Sequence, residues 1–335
     1  MAAIICLGMA VRDLVFAVPA LPPVPGKLTA SSLFKRGGGM AATAAVAAAA
    51  LGGTVRYWGR LGDDETGREL RHELAAHGVE VCARSAPGMQ TPVAAVLVAD
   101  NGERMLAVFR GQLDEATDWL PLEQVAEAQA VLADFRWPQG ARLLYEAAHA
   151  RGIPCVLDAD AGDAGMVRAL LPLADHALFS QAGLAELHGN ADILNERGDH
   201  RAGSIHNANE GDYLHAADDD ADDDRGHEEA AAGLRQAALL TAGVVAVTLG
   251  KRGSLFLING VAHHIGAPAV DARDTNGAGD VFHGAYTLAL AEGHDVIDAA
   301  RFATAAAALK CRNGSGWDAA PDRAAVDDFL NGSAW

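Results

Sequence analysis

The residues best spaced for chemistry are Asp274-Thr275-Asn276-Gly277-Ala278-Gly279-Asp280, followed at once by VFHGAYTLALAEG, whose apolar spacing is that of a helix ended by Gly293. The small residues 277–279 open that helix, so their N–H groups lack partners within it, and an anion can approach without meeting a side chain. Asp280, on the first turn, would then reach a hydroxyl attacking the anion, which is the placement of a general base for phosphoryl transfer. An acid on a first turn also stabilises a helix by up to about 1 kcal/mol. Asp280 alone therefore leaves a structural reading open, and the residues around it have to decide.

Two further segments bear on that decision. Gly37-Gly38-Gly39 precedes an alanine-rich helix carrying Thr43, and Thr248-Leu249-Gly250-Lys251-Arg252-Gly253 closes the apolar run 244–247. Glycines at a helix start or a strand exit admit close approach by a sugar, a ribose or a phosphate, and they equally well make plain turns. Three cations have the placement to meet an anionic substrate tail: Lys27, Arg110 and Arg136, the last just after an apolar strand. Solvated surface charge is the alternative for each. His283, one turn after Asp280, would either contact substrate or pack within the helix.

Positioning these residues requires a scaffold, and the chain supplies one by alternating short β-rich runs (4–8, 55–58, 130–133, 155–158, 177–179, 244–249) with helical stretches (40–51, 67–77, 141–150, 229–241). This alternation predicts an α/β fold, a doubly wound, mostly parallel sheet flanked by helices, in one domain spanning residues 1–335. Segments 13–35 and 93–110 break the rhythm, the second alternating about the turn Asp100-Asn101-Gly102. They are expected to form a small β-sheet lid over the carboxyl edge of the main sheet, where open α/β sheets bind ligands. Residues 190–229 hold thirteen acidic residues against three arginines, including the run 218–224, and read as a disordered acidic insertion.

Composition narrows the function. With a net charge of −18 and no basic cluster, the chain lacks what tracking nucleic-acid phosphates requires. Half of its residues are apolar, yet no uninterrupted apolar stretch suits a membrane, since Arg12 and Asp13 interrupt the first. Cys6, Cys82, Cys155 and Cys311 are widely separated, which suggests neither a disulfide framework nor a zinc site and fits a reducing cytoplasm.

Taken together, the motifs resemble those of the PfkB, or ribokinase-like, family of carbohydrate kinases over nearly the whole chain apart from the acidic insertion. The segment 274–280, DTNGAGD, is the most specific of them. The resemblance implies a kinase using ATP and magnesium, with room for a monovalent cation, and acting on a primary hydroxyl of a sugar. Asp280 would be the base and Gly277, Ala278 and Gly279 the anion hole. Asp13, Gly38, Gly39 and Thr43 would meet the sugar, and Thr248, Gly250, Gly253, Asp274, Thr275, Asn276 and Gly314 would lie on the nucleotide side. The run from Gly59 through Gly62 and Asp64 to Gly67 matches the family's G-x-x-G-x-D-x-x-G turn.

Two departures stand out. Thr43 replaces the usual Asn, and the N-x-x-E motif that helps organise magnesium reads Ser180-Gln181-Ala182-Gly183, so no metal ligand is assigned. Within the family the chain is similar to the sulfofructose kinase branch. That similarity implies an anionic ketose such as 6-deoxy-6-sulfofructose, with Lys27 and Arg136 at its anion end and Val108 where an Asn is usual. A neutral-sugar kinase, a 2-keto-3-deoxygluconate kinase and a non-catalytic sugar sensor are the alternatives. An exposed lid with free strand edges further implies a homodimer through the lid.

Overall fold

The computed structural model describes residues 1–22, 26–99, 104–189 and 220–332. Nine strands make the main sheet: β1 (Ala3–Gly8), β4 (Thr54–Arg60), β5 (Val79–Arg84), β8 (Ala130–Asp134), β9 (Cys155–Ala159), β10 (His176–Ser180), β11 (Val244–Thr248), β12 (Ser254–Ile258) and β13 (Val261–Ile265). Their order is β13-β12-β11-β10-β9-β8-β1-β4-β5, and every pairing from β11 to β5 is parallel, while β12 and β13 add an antiparallel edge.

Side chains alternate faces along each strand, so both faces are buried. Ile4, Cys6, Leu132, Val156, Leu178 and Ala246 turn toward α1 (Met40–Ala50), α2 (Glu65–Ala76), α7 (Ala278–Ala291), α8 (Val296–Asn313) and α9 (Arg323–Gly332). Ile5, Leu7, Val131, Ala133, Leu157 and Phe179 turn toward α3 (Pro138–His149), α4 (Ala164–Leu170), α5 (Gln181–Leu187) and α6 (Asp220–Ala237). This is the expected doubly wound, mostly parallel sheet. In α6 the structure departs from expectation: the helix takes in residues 220–229, the end of the supposed disordered insertion. Residues 190–219 lie outside the described residues.

Four strands form the separate lid sheet, in the order β3 (Ser32–Gly38), β2 (Val11–Val18), β6 (Val93–Ala99), β7 (Arg104–Phe109). The β2–β6 pairing is parallel and the two outer pairings are antiparallel. Val11, Ala94 and Val96 give the sheet a small core of its own. The lid strands reach from Val11 to Gly38, slightly beyond the expected segment, and the turn at 100–103 lies outside the described residues.

The Gly59 to Gly67 turn ties the lid to the sheet. Asp64 caps α2 by accepting from Gly67 N–H at 2.8 Å, and it also accepts from Thr91 N–H at 2.8 Å and the Thr91 hydroxyl at 2.7 Å, just before β6. Burial pushes this carboxyl up, but the Thr91 and Gly67 bonds outweigh it and hold it below the usual carboxylate range.

Candidate active site

The site is built where the sheet's carboxyl edge faces the start of α7. Register aligns Asp134 with Asp158 and Ser180 with Thr248, so these strand ends form one rim. At the rim, Asp134 joins three chain segments. One oxygen accepts from Met9 N–H at 2.7 Å and Ala41 N–H at 3.3 Å, and the other accepts from Arg136 N–H at 2.9 Å. Gly8 makes room for it, since a Cβ there would stand 2.1 Å from the carboxylate. Burial pushes the Asp134 carboxyl up and the main-chain donors oppose that shift. Sequence reasoning missed this residue, whose only sign was an acid ending an apolar strand.

Gly277 adopts left-handed backbone (φ 74°) as the N-cap of α7, and Asp280 follows half-buried on the first turn. A Cβ on Gly277 would stand 3.6 Å from the Thr43 methyl and 3.8 Å from the Asp280 carboxylate, so the base candidate, the turn and α1 converge. Gly279 faces open space. Of the three amides expected to form the anion hole, that of Ala278 donates to the Thr275 carbonyl at 3.1 Å. The tight turn thus uses the Ala278 amide to close itself.

On the lid side, Asp13 in β2 packs against Gly38, where a Cβ would stand 2.7 Å from its carboxylate. Burial pushes the Asp13 carboxyl up to about 6, with Arg12 and Arg36 opposing the shift. Gly39 (φ 97°) turns against the Met9 carbonyl, and Thr43 is reached by Trp317, whose indole Nε1 donates to its hydroxyl at 3.0 Å. Trp317 also covers Gly37, which has no space for a Cβ beneath the ring. The C-terminal segment therefore closes on the glycine motif. Gly314, the residue expected on the nucleotide side in that segment, caps α8 beside open space.

Arg36 in β3 lies 3.6 Å from the Asp274 carboxylate and so links the lid to the loop before α7. Asp274 accepts from Asn276 N–H at 2.8 Å, while Thr275 is exposed. At the other end of the rim, Thr248 donates to the Phe179 carbonyl at 3.4 Å, and Gly250 (φ 58°) has open space around it. Gly253 is small for a different reason: a Cβ would stand 1.9 Å from the Ile265 carbonyl, so packing against β13 requires glycine there.

Of the three cations, Arg136 and Arg110 come near enough to repel one another. Burial holds the Arg136 guanidinium below its usual value, Asp134 opposes the shift, and Arg110 adds to it. Arg136 stacks 4.4 Å from the Phe135 ring and donates to the Ala161 carbonyl at 3.1 Å. Lys27 is exposed in the loop between β2 and β3. Val108 is 50 % exposed in β7.

The altered motif at 180–183 has a local explanation. Ser180 caps α5 by accepting from Gly183 N–H at 2.9 Å, and a Cβ at Gly183 would stand 2.3 Å from the Ala159 carbonyl, which leaves no room for a Glu. His283 is buried, with Nδ1 2.8 Å from Asp158, and both side chains are almost fully enclosed. It faces the sheet rather than solvent. His149, Cys155 and Asp175 also converge away from the rim. There Asp175 accepts from Cys155 N–H at 2.8 Å, and the Cys155 thiol is pushed up, by burial first and Asp175 second.

A doubly wound sheet with a separate lid sheet and a small-residue turn opening a helix beside an Asp defines a ribokinase-like α/β fold. Residues 1–323 match the pfkB family carbohydrate kinases, and the chain belongs to that family and is a carbohydrate kinase. The ribokinase of Haemophilus influenzae is 25% identical over 329 residues, covering 97% of each chain. A solved protein of Agrobacterium tumefaciens, provisionally named a ribokinase, is 29% identical with a TM-score of 0.80, covering 99% of this chain and 98% of the other. The ribokinase of Arabidopsis thaliana, complexed with ribose and ATP, superposes with a TM-score of 0.75 at 24% identity over 99% of each chain. These relatives carry the ribokinase name, so the nearer likeness expected to sulfofructose kinases is not shown. Among the described residues no helix is long and apolar enough to cross a membrane.

Proposed function

We propose that this carbohydrate kinase transfers the γ-phosphoryl group of ATP to a primary hydroxyl of a ribose- or fructose-type sugar, with Asp280 as the base. The observation that carries this reading is the convergence of Gly277, Thr43 and the Asp280 carboxylate at the start of α7. Asp280 takes the hydroxyl proton as the oxygen bonds to phosphorus and the bond to the leaving ADP breaks. Amides of the turn at Gly277 and Gly279 hold the phosphoryl oxygens at the positive end of the helix. Asp13, beside Gly38, accepts from sugar hydroxyls, and the lid over the rim keeps water from the transferred group.

ATP is expected along the edge from Thr248 to Gly253, with Gly314 on its adenine side. Magnesium is proposed to arrive with the nucleotide phosphates, since Gly183 leaves no place for the acid of the usual motif. When bound it would neutralise charge on the phosphates.

Arg136 at the rim, with the charge of Arg110 bearing on it, favours a sugar that also carries an anionic group, because a guanidinium pairs well with an anionic oxygen. The names of the relatives favour a neutral sugar instead. A coupled assay of ADP formation over ribose, fructose, fructose 6-phosphate, 6-deoxy-6-sulfofructose and 2-keto-3-deoxygluconate tests both. No ADP with any of them, alongside sugar binding, would replace the kinase reading with a sensor. The half-exposed Leu33, Phe34, Met105, Val108 and Phe109 on the lid support a homodimer through it, to be checked by sedimentation.

A further inference from the structure

Lys310 sits in the last turn of α8 and is only 2 % exposed. Its Nζ donates to the main-chain carbonyl of Asp274 at 3.2 Å and to that of Asn276. These alternate residues belong to the loop that ends at Gly277. The same turn of α8 grips the loop from its other side, for the Cys311 carbonyl accepts from Arg273 N–H at 2.8 Å and from Asp274 N–H at 3.2 Å.

Burying an ammonium is costly unless polar groups compensate it, so the arrangement persists only if the loop keeps its carbonyls turned toward Lys310. The peptide plane then transmits that constraint. In a trans peptide the N–H points opposite to the carbonyl, so fixing the carbonyls of Asp274 and Asn276 toward Lys310 fixes the N–H groups of Thr275 and Gly277 away from it. Gly277 is the residue beside Asp280 and Thr43. An ammonium held by backbone carbonyls also does what a potassium ion does when carbonyls replace its water.

We propose that Lys310 is a positioning residue for phosphoryl transfer. Its ammonium acts as a built-in monovalent cation that orients the 274–277 loop and sets positive charge behind the anion turn, so that turnover needs no free monovalent ion. The proposal rests on the kinase reading above, and in it Lys310 takes the place of the free monovalent cation that the family resemblance left room for.

The test compares turnover and thermal midpoint in potassium, sodium and tetramethylammonium chloride at equal ionic strength. Wild-type protein should keep both nearly constant across the three salts. Lys310→Met should lower kcat by about ten- to a hundredfold, the worth of a hydrogen bond to a charged group, while changing KM for the sugar far less. Lys310→Ala should slow turnover likewise and recover part of it, with a raised midpoint, in potassium but not in tetramethylammonium. A wild-type enzyme that needs potassium for turnover or stability overturns the proposal, as does Lys310→Met working at the wild-type rate. If neither variant folds, the wild-type salt series decides alone. Absence of ADP formation with every sugar would strike the kinase reading instead, and the wild-type midpoint series would still test Lys310.

Discussion

Gly284 lies so close to Ala44 that a Cβ on the glycine would stand 2.2 Å from the Ala44 carbonyl oxygen. This backbone contact sets the distance between α1, which carries Thr43, and α7, which carries Asp280. Gly284→Ala should therefore push the helices apart, lowering kcat by about a hundredfold if the shift reaches an ångström and stability by about 1–3 kcal/mol. Steady-state kinetics and thermal melts check it. Unchanged kcat would mean that the helices slide without moving the site.

Asp280→Asn keeps the shape and removes the proposed base. The expected loss in kcat is about 10²–10⁴-fold, with KM for the sugar and the melting midpoint close to wild type. A variant with near-normal turnover would transfer the role of base to another group.

Asp13 predicts two opposite responses to pH. Its folded carboxyl, at about 6, lies above the ordinary value of 3.8, so the folded protein binds this proton more readily than the unfolded chain. The ionised form thus costs stability, on the order of 3 kcal/mol above pH 6, and that cost fades as pH falls from about 6 to about 4. Sugar binding should move the other way, KM rising below about pH 6 as the acceptor is protonated. Asp13→Asn should raise the melting midpoint at neutral pH, weaken sugar binding and abolish that pH dependence of KM. A KM profile identical to wild type would exclude Asp13 from the sugar site.

Asp134→Ala leaves the amides of Met9, Ala41 and Arg136 without their shared acceptor and opens a cavity against Gly8. A loss of about 1–3 kcal/mol or more is expected, since a buried donor left unmade costs that much and the Ala41 amide is buried while those of Met9 and Arg136 are part-buried. Chemical denaturation measures it, and a loss below about 1 kcal/mol would show that water replaces the carboxylate at little cost.

Arg136→Ala separates the two substrate readings. With an anionic acceptor, KM should rise about tenfold or more, the worth of one charge-assisted contact. With ribose or fructose it should change little. Equal effects on charged and neutral sugars would remove the anion subsite.

The sequence by itself determined the doubly wound sheet and the start of α7. Hydrophobic alternation, the glycines at 37–39 and the small residues of 277–279 are local signals, because strand period, turn conformation and orphan helix amides depend on neighbours in the chain. Only the tertiary structure decided which polar groups meet across the fold: Asp134 with Met9 and Ala41, Trp317 with Thr43, Lys310 with the carbonyls of Asp274 and Asn276. Those pairings join residues between 34 and 274 positions apart, and a side chain's type does not say which distant carbonyl or amide it will serve. The same holds for Gly253 and Gly284, whose need for glycine comes from a backbone passing on another element. Burial makes each such meeting obligatory once the elements pack, since a polar group cut off from water must find its partner inside.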